Sequence, residues 1–250
     1  MAGSRTYRTV AIVLDKTKLK ETDLILTLLG EDGRQIRAVA KGARKPGSRT
    51  AARCELFCMV DLLVARGRSL DVVSQADLKR APLGCAPSFE SLTAASAIAE
   101  LARLCTFEDA HDPFVFAITD SALSHIGALE GDAPHMDVIV AAYAFKLLSH
   151  LGYRPVLDQC VACGDPHPGY FSASAGGLLC GSCSQTVAGA EALDPGAGDW
   201  LRSLLALRFD DLASSPVDAF GASMLLAQAH IWSATHLDCR LRSLEFMLGR

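Results

Sequence analysis

Residues 23–41, DLILTLLGEDGRQIRAVAK, hold two runs of strand-forming residues on either side of Asp32-Gly33. An Asp-Gly pair between such runs is a strong hairpin signal, because glycine accepts the left-handed backbone a tight turn requires. Past the turn, Ile36, Ala38 and Ala40 alternate with Arg37 and Lys41, so one face of the strand is apolar and the other is cationic. Upstream, YRTVAIVLDKT (7–17) is rich in β-branched residues. Downstream, after a Gly/Arg/Ser-rich stretch, LFCMVDLLVARGRSLDVVSQADL (56–78) gives two more runs around Arg66-Gly67-Arg68-Ser69. Three meander strands, a break and a hairpin predict a five-stranded OB-fold barrel over residues 1–80. An SH3-like barrel is the alternative, since strand pairing is not fixed by order alone.

From residue 88 the period changes to that of helices. SFESLTAASAIAELARLCTF (88–107) places Leu92, Ala95, Ile98, Leu101, Ala102 and Cys105 on one side. Asp112-Pro113 reads as an N-cap with a first-turn proline, opening a helix through FVFAITDSALSHIGALE. MDVIVAAYAFKLLSHLGYRP (136–155) is apolar nearly all round and predicts a buried central helix, stopped by Gly152 and Pro155. GDWLRSLLALRF, PVDAFGASMLLAQAHIWSATHL and LRSLEFML are further helices. The expected class is multi-domain β + α, with an α-helical domain over residues 81–250.

Four of the nine cysteines lie in CVACGDPHPGYFSASAGGLLCGSC, as C-x2-C, sixteen residues, C-x2-C. Cys160, Cys163, Cys180 and Cys183 have the spacing of two zinc knuckles, with Gly164, Gly169, Gly176 and Gly177 permitting tight turns. Zn2+ is the expected cofactor, in a module at about residues 157–187. Four thiolates fill a tetrahedron and leave no position for reactive water, so the role is structural. The His-x-Glu of zinc deaminases is absent. Cys54, Cys58, Cys85, Cys105 and Cys239 read as small core residues. No phosphate-binding loop, dinucleotide fingerprint or nucleophile elbow occurs, and no histidine has a spacing that marks an acid–base pair. The chain therefore reads as a non-enzyme.

Charge points to the partner. The formal net charge is −4, yet residues 1–80 carry sixteen Lys/Arg against nine Asp/Glu, or +7, and the other 170 carry eight against nineteen, or −11. A basic barrel on an acidic body suggests polyanion binding. The candidate contacts are Arg34, Arg37, Lys41, Arg44, Lys45, Arg49 and Arg53, with those from Arg44 onward in a flexible loop. Tyr7 and Phe57 are the only aromatic residues in this region, so phosphates rather than stacked bases should carry the affinity. The longest apolar stretch, 219–237, contains Gln228, His230 and His236 and suits a packed helix better than a membrane span. The odd cysteine number and the lack of a signal-like N-terminal run favour a reducing, cytoplasmic setting.

ETDLILTLLGEDGRQIRAVAKGARKPGSR (21–49), the cysteine module and the closing LRSLEFML together resemble the bacterial RecO family of DNA repair and recombination proteins. The resemblance covers essentially the whole chain. It implies a recombination mediator that binds single- and double-stranded DNA and anneals complementary strands. It also implies work with RecR, contact with the C-terminal tail of SSB, and indirect help in loading RecA. By motif, Arg37, Lys41, Arg44, Lys45 and Arg49 become DNA contacts and the four module cysteines zinc ligands. Thr50-Ala51-Ala52 departs from the bulkier residue the family pattern places after Ser48-Arg49. Arg103, Lys146 and Arg154 are candidate contacts for an acidic SSB tail, and a nucleoid-associated location follows from the same resemblance. A zinc-dependent nucleobase or nucleotide hydrolase and an RNA-binding OB-fold factor are the alternative readings.

Overall fold

The alternation around Asp32-Gly33 forms the hairpin the sequence predicts. In the computed structural model, which describes residues 5–249, β1 spans Thr6–Leu19, β2 Asp23–Gly30 and β3 Gln35–Ala40. Gly33 turns with φ 86°, and its N–H donates to the Gly30 carbonyl at 2.8 Å. A side chain here would also collide with the backbone of Asp112, since a Cβ would lie 1.9 Å from that carbonyl oxygen. Glycine is thus required twice over at this turn.

A short helix, α1 (Arg49–Arg53), separates β3 from β4 (Met59–Ala65) and β5 (Asp71–Arg80). The strands close in the order β1-β2-β3-β5-β4, with β3 and β5 parallel through Ala38↔Asp71 and Val39↔Val72. This is OB-fold connectivity, and it sets aside the SH3-like alternative. β1 serves two neighbours, β4 along Thr6–Ile12 and β2 along Ala11–Leu19, and a bulge between Val13 and Asp15 bends it for both tasks. Val60, Leu62 and Val64 point inward from β4 and meet Leu26, Leu28 and Ala38 in the barrel core.

Residues 44–53 depart from the expected flexible loop. Lys45 and Ser48 close successive turns, and the Ser48 hydroxyl then accepts from the Ala51 N–H at 3.3 Å as the N-cap of α1. A serine three residues ahead of an alanine pair is a cap signal that the arginine density obscured.

The helices are α2 (Phe89–Leu104), α3 (Pro113–Ala128), α4 (Ala133–His150), α5 (Gly181–Ser184), α6 (Ala197–Ala206), α7 (Phe209–Ala213), α8 (Ala219–Leu237) and α9 (Arg242–Leu248). A three-stranded sheet, ordered β7-β6-β8, comprises β6 (Tyr170–Ser172), β7 (Gly177–Leu179) and β8 (Glu191–Ala192). Packing divides the chain into two compact units. One comprises Met1–Ser88 with Ile98–Ala128, and the other Phe89–Ala97 with Leu129–Arg250.

The Asp112 carboxylate caps α3, accepting from Phe114 N–H at 3.2 Å. As predicted, α4 is buried on nearly every side, from Met136 to Phe145 without interruption. Phe145, Phe171 and Trp232 gather in the second unit with ring centroids 5.7–6.5 Å apart, adding ring contacts to their burial. On α2, Ala95, Ile98, Leu101 and Ala102 are fully buried, but Leu92 is 41% exposed. It sits near the helix start and lines an open groove with Phe89 and Phe246. Among the described residues, no helix is long and apolar enough to cross a membrane.

Candidate nucleic-acid interface and metal centre

The seven cations of the barrel segment divide into two groups. Arg37 on β3, Lys41 at its end, and Lys45 and Arg49 beyond it are exposed, and among the described residues their side chains make no ion pair or hydrogen bond. The other three are committed within the protein. The Arg44 guanidinium donates to the Lys20 and Glu21 carbonyls at 3.2 and 2.9 Å, tying its loop to the β1–β2 turn. Arg53 donates to the Ala76 carbonyl at 2.8 Å and pairs with Asp77 at 2.9 Å. Arg34 pairs with Asp32 at 3.0 Å and lies over the Tyr7 ring, 5.1 Å from its centroid.

The backbone beneath the free cations is fixed. Asp23 accepts from the Gly42 N–H at 2.8 Å and from the Thr22 hydroxyl at 3.1 Å, and these bonds, led by the one from Gly42, hold its carboxyl below the ordinary carboxylate range. An ionised Asp23 therefore anchors the start of the loop that carries Lys45.

Sequence reasoning passed over Lys18 and Lys20 at the end of β1, and Arg66 and Arg68 in the β4–β5 loop, all exposed. The strand order is the signal that finds them. In an OB-fold the β1–β2 and β4–β5 connections flank the binding face, so cations in either loop are contact candidates. Of the three cations considered for an acidic tail, Arg103 and Arg154 are exposed. Lys146 is not free: its ammonium donates to the Leu205 and Leu207 carbonyls at 2.9 and 2.8 Å, and burial lowers its pKa. The carbonyls left open at the end of α6 accept its hydrogen bonds.

In the second unit the four module cysteines converge, with all sulfurs within 4.8 Å of one another. Cys163 Sγ and Cys180 Sγ are 3.7 Å apart. Zinc–sulfur bonds of about 2.3 Å in a tetrahedron require sulfurs about 3.8 Å apart, so the cage fits that ion. The first pair lies on a turn closed by the Gly164 N–H on the Cys160 carbonyl at 2.8 Å, and the second flanks the start of α5. Gly177, at the hairpin between β6 and β7, admits the backbone of Val156, where a Cβ would meet the carbonyl oxygen at 2.2 Å.

The thiols do not ionise alike without a cation. Burial pushes Cys160 up, but N–H groups of Cys180, Cys163 and Ala162 and the Cys163 thiol outweigh it and bring the pKa to about 6. Cys183 is pushed up to about 12 by its hydrogen bonds to Cys163, Cys180 and Cys160. A divalent ion removes this conflict by stabilising all four sulfurs as thiolates. Cys160, Cys163, Cys180 and Cys183 are the residues that would hold it.

Family models described as "Recombination protein O N terminal" and "Recombination protein O C terminal" match residues 1–82 and 86–245. The DNA repair protein RecO of Bifidobacterium adolescentis is 43% identical over 181 residues, 70% of this chain and 72% of its own. That of Bifidobacterium longum is 33% identical over 245 residues, 96% of this chain and 98% of its own. That of Desulfitobacterium hafniense is 32% identical over 248 residues, 95% and 87%. Matches of this extent reach across the barrel, the helices and the cysteine cage alike, and the chain belongs to the RecO family of DNA repair proteins.

Proposed function

We propose that the chain is a non-enzymatic recombination mediator, in which residues 1–80 grip DNA and residues 81–250 carry the partner surfaces. It binds single- and double-stranded DNA, anneals complementary strands and, with RecR, helps RecA load on SSB-coated DNA. The observation that carries this reading is the set of unpartnered cations, Arg37, Lys41, Lys45 and Arg49, on the exposed side of an OB-fold. Cations held on a rigid strand and its following turn neutralise phosphates and lower the repulsion between two strands, so pairing proceeds with no bond made or broken. The acidic remainder repels the same polyanion and leaves its surface to proteins. An acidic SSB tail would find Arg154 there. Zn2+ acts structurally in the cage, and the protein works in the cytoplasm with the nucleoid.

Charge reversal of Lys41, Lys45 and Arg49 together tests the placement. Each lost single-strand contact removes about 0.7 from the salt slope, so three contacts lower affinity about a hundredfold at 0.1 M salt. Fluorescence anisotropy on a labelled oligonucleotide reads both quantities, and unchanged values would refute the site. Annealing of SSB-coated strands, with and without RecR, tests the mediator role. Acceleration that needs RecR supports it.

A further inference from the structure

The face of the barrel holds a second polar feature that the stripe of cations does not account for. A cleft of about 210 Å3 is lined by Tyr7, Arg34, Arg37, Arg66, Ser69 and Asp71, with Glu108 and Asp109 at its side. That volume lies below the roughly 300 Å3 at which pockets for whole small molecules begin, and suits one charged group of a longer chain.

Its frame is rigid. The Tyr7 hydroxyl donates to Asp71 Oδ2 at 2.6 Å, and Asp71 Oδ1 accepts from the Gly67 N–H at 3.0 Å. One carboxylate thus fixes both the ring and the β4–β5 loop. The Arg66 N–H adds a bond to the Arg5 carbonyl at 2.9 Å. Above this frame the Arg34 and Arg66 guanidiniums lie 5.1 and 5.0 Å from the Tyr7 centroid. Ring contact orients a guanidinium while leaving its N–H donors for another acceptor.

The charges in the cleft are not settled by the protein. Asp71 is spent on Tyr7 and Gly67, and Asp32 on Arg34. Arg37 and Arg66 retain no carboxylate partner among the described residues, and neither Glu108 nor Asp109 pairs with a cation. Two arginine forks without acceptors, beside a serine hydroxyl, match the oxygens of a phosphodiester. Arg37 belongs both to this cleft and to the exposed stripe that runs to Lys41, so the two are continuous.

We propose that Arg66, with Arg37 and Ser69, forms a phosphate subsite that extends the nucleic-acid path across the barrel to the β4–β5 loop. Glu108 and Asp109 oppose it and keep this end of the path weakly held. The proposal rests on the nucleic-acid reading above. The ligand is a backbone phosphate of a bound strand rather than a base, because the Tyr7 ring is already engaged by two guanidiniums.

The test uses the full-length zinc-loaded protein and a fluorescein-labelled oligothymidylate. Arg66→Ala lowers affinity about fivefold at 0.1 M salt and removes about 0.7 from the salt slope, as one single-strand phosphate contact requires. Arg66→Lys restores most of the slope. Glu108→Gln with Asp109→Asn acts in the opposite direction, tightening binding about threefold with a gain that fades as salt rises. Unchanged affinity and slope for Arg66→Ala, in a protein whose Lys41/Lys45/Arg49 reversal does weaken binding, would overturn the subsite alone. Failure of both variants would overturn the underlying reading too. Arg66-dependent binding of inorganic phosphate, in a protein whose oligonucleotide affinity and salt slope are unchanged by Arg66→Ala, would assign the cleft to free phosphate and overturn the strand assignment. Thermal melting of each variant shows whether the barrel is intact. If Arg66→Ala fails to fold, a chemical-shift map of the Arg66→Lys protein with DNA decides instead: shifts at Arg37, Ser69 and the substituted position support the subsite, and none there overturns it.

Discussion

The barrel and the cysteine module both contain cysteines in hairpin-rich backbone, and they use them in opposite ways. In the barrel, Cys54 and Cys58 are buried among apolar side chains, and burial pushes Cys54 up to about 11. It behaves as a small hydrophobe. In the module, backbone N–H groups bring Cys160 down to about 6, and the buried cluster amounts to Cys160, Leu179 and Cys180. The barrel has a closed apolar interior and needs no ion. Around the module's sulfurs the buried cluster is small, and the four thiols are close enough together to hold an ion. Cys54 and Cys160 thus differ because the first is buried among apolar side chains and the second faces amide protons.

Removing the metal gives the largest expected effect. Stripping by a strong chelator, or Cys160→Ser with Cys180→Ser, abolishes bound zinc and opens residues 157–187 to proteolysis, since structural zinc contributes about 10 kcal/mol or more to comparable sites. Oligonucleotide affinity stays unchanged, and a parallel loss of DNA binding would erase the contrast. Next, Leu28→Ala empties part of the barrel core, where Leu28 is 0% exposed, and costs about 2–5 kcal/mol in denaturant unfolding while the zinc content is retained.

The third effect is pH-dependent. Because the folded barrel raises the Cys54 pKa from 9.0 to about 11, the unfolded chain releases this proton first. Stability from this group is complete below pH 9 and is lost as pH rises toward 11, on the order of 2 kcal/mol in all. A Cys54→Ala protein lacks this component, and melting curves of the two proteins across that window reveal it. The smallest effect is that of Arg53→Ala. Its exposed pair with Asp77 contributes about 0–1 kcal/mol, and DNA affinity should hold because the guanidinium already has acceptors within the protein. A clear loss of affinity would move Arg53 back among the contacts.

Local patterns were readable in the sequence and distant pairings were not. The alternation of Ile36, Ala38 and Ala40 with Arg37 and Lys41, the Asp32-Gly33 turn and the paired C-x2-C motifs each act over a few residues, and each marked its element correctly. Arg44 and Arg53 looked identical to Lys45 and Arg49 because nothing nearby shows which cations are spoken for. The Arg53 acceptor lies 24 residues away, and the Tyr7–Asp71 bond spans 64. The engagement of Lys146 was hidden for the same reason, since its acceptors lie 59 and 61 residues on. The exposed Leu92 shows the complementary limit: helical periodicity names a face but not how far the covering layer extends.

The parallel pairing of β3 with β5, through Ala38↔Asp71 and Val39↔Val72, completes the ring of strands. The unpaired cations on this ring, Arg37, Lys41, Lys45 and Arg49, are side chains rather than peptide groups. Such a surface can be retuned one substitution at a time, so grip strength is free to drift between lineages while the architecture beneath it stays put.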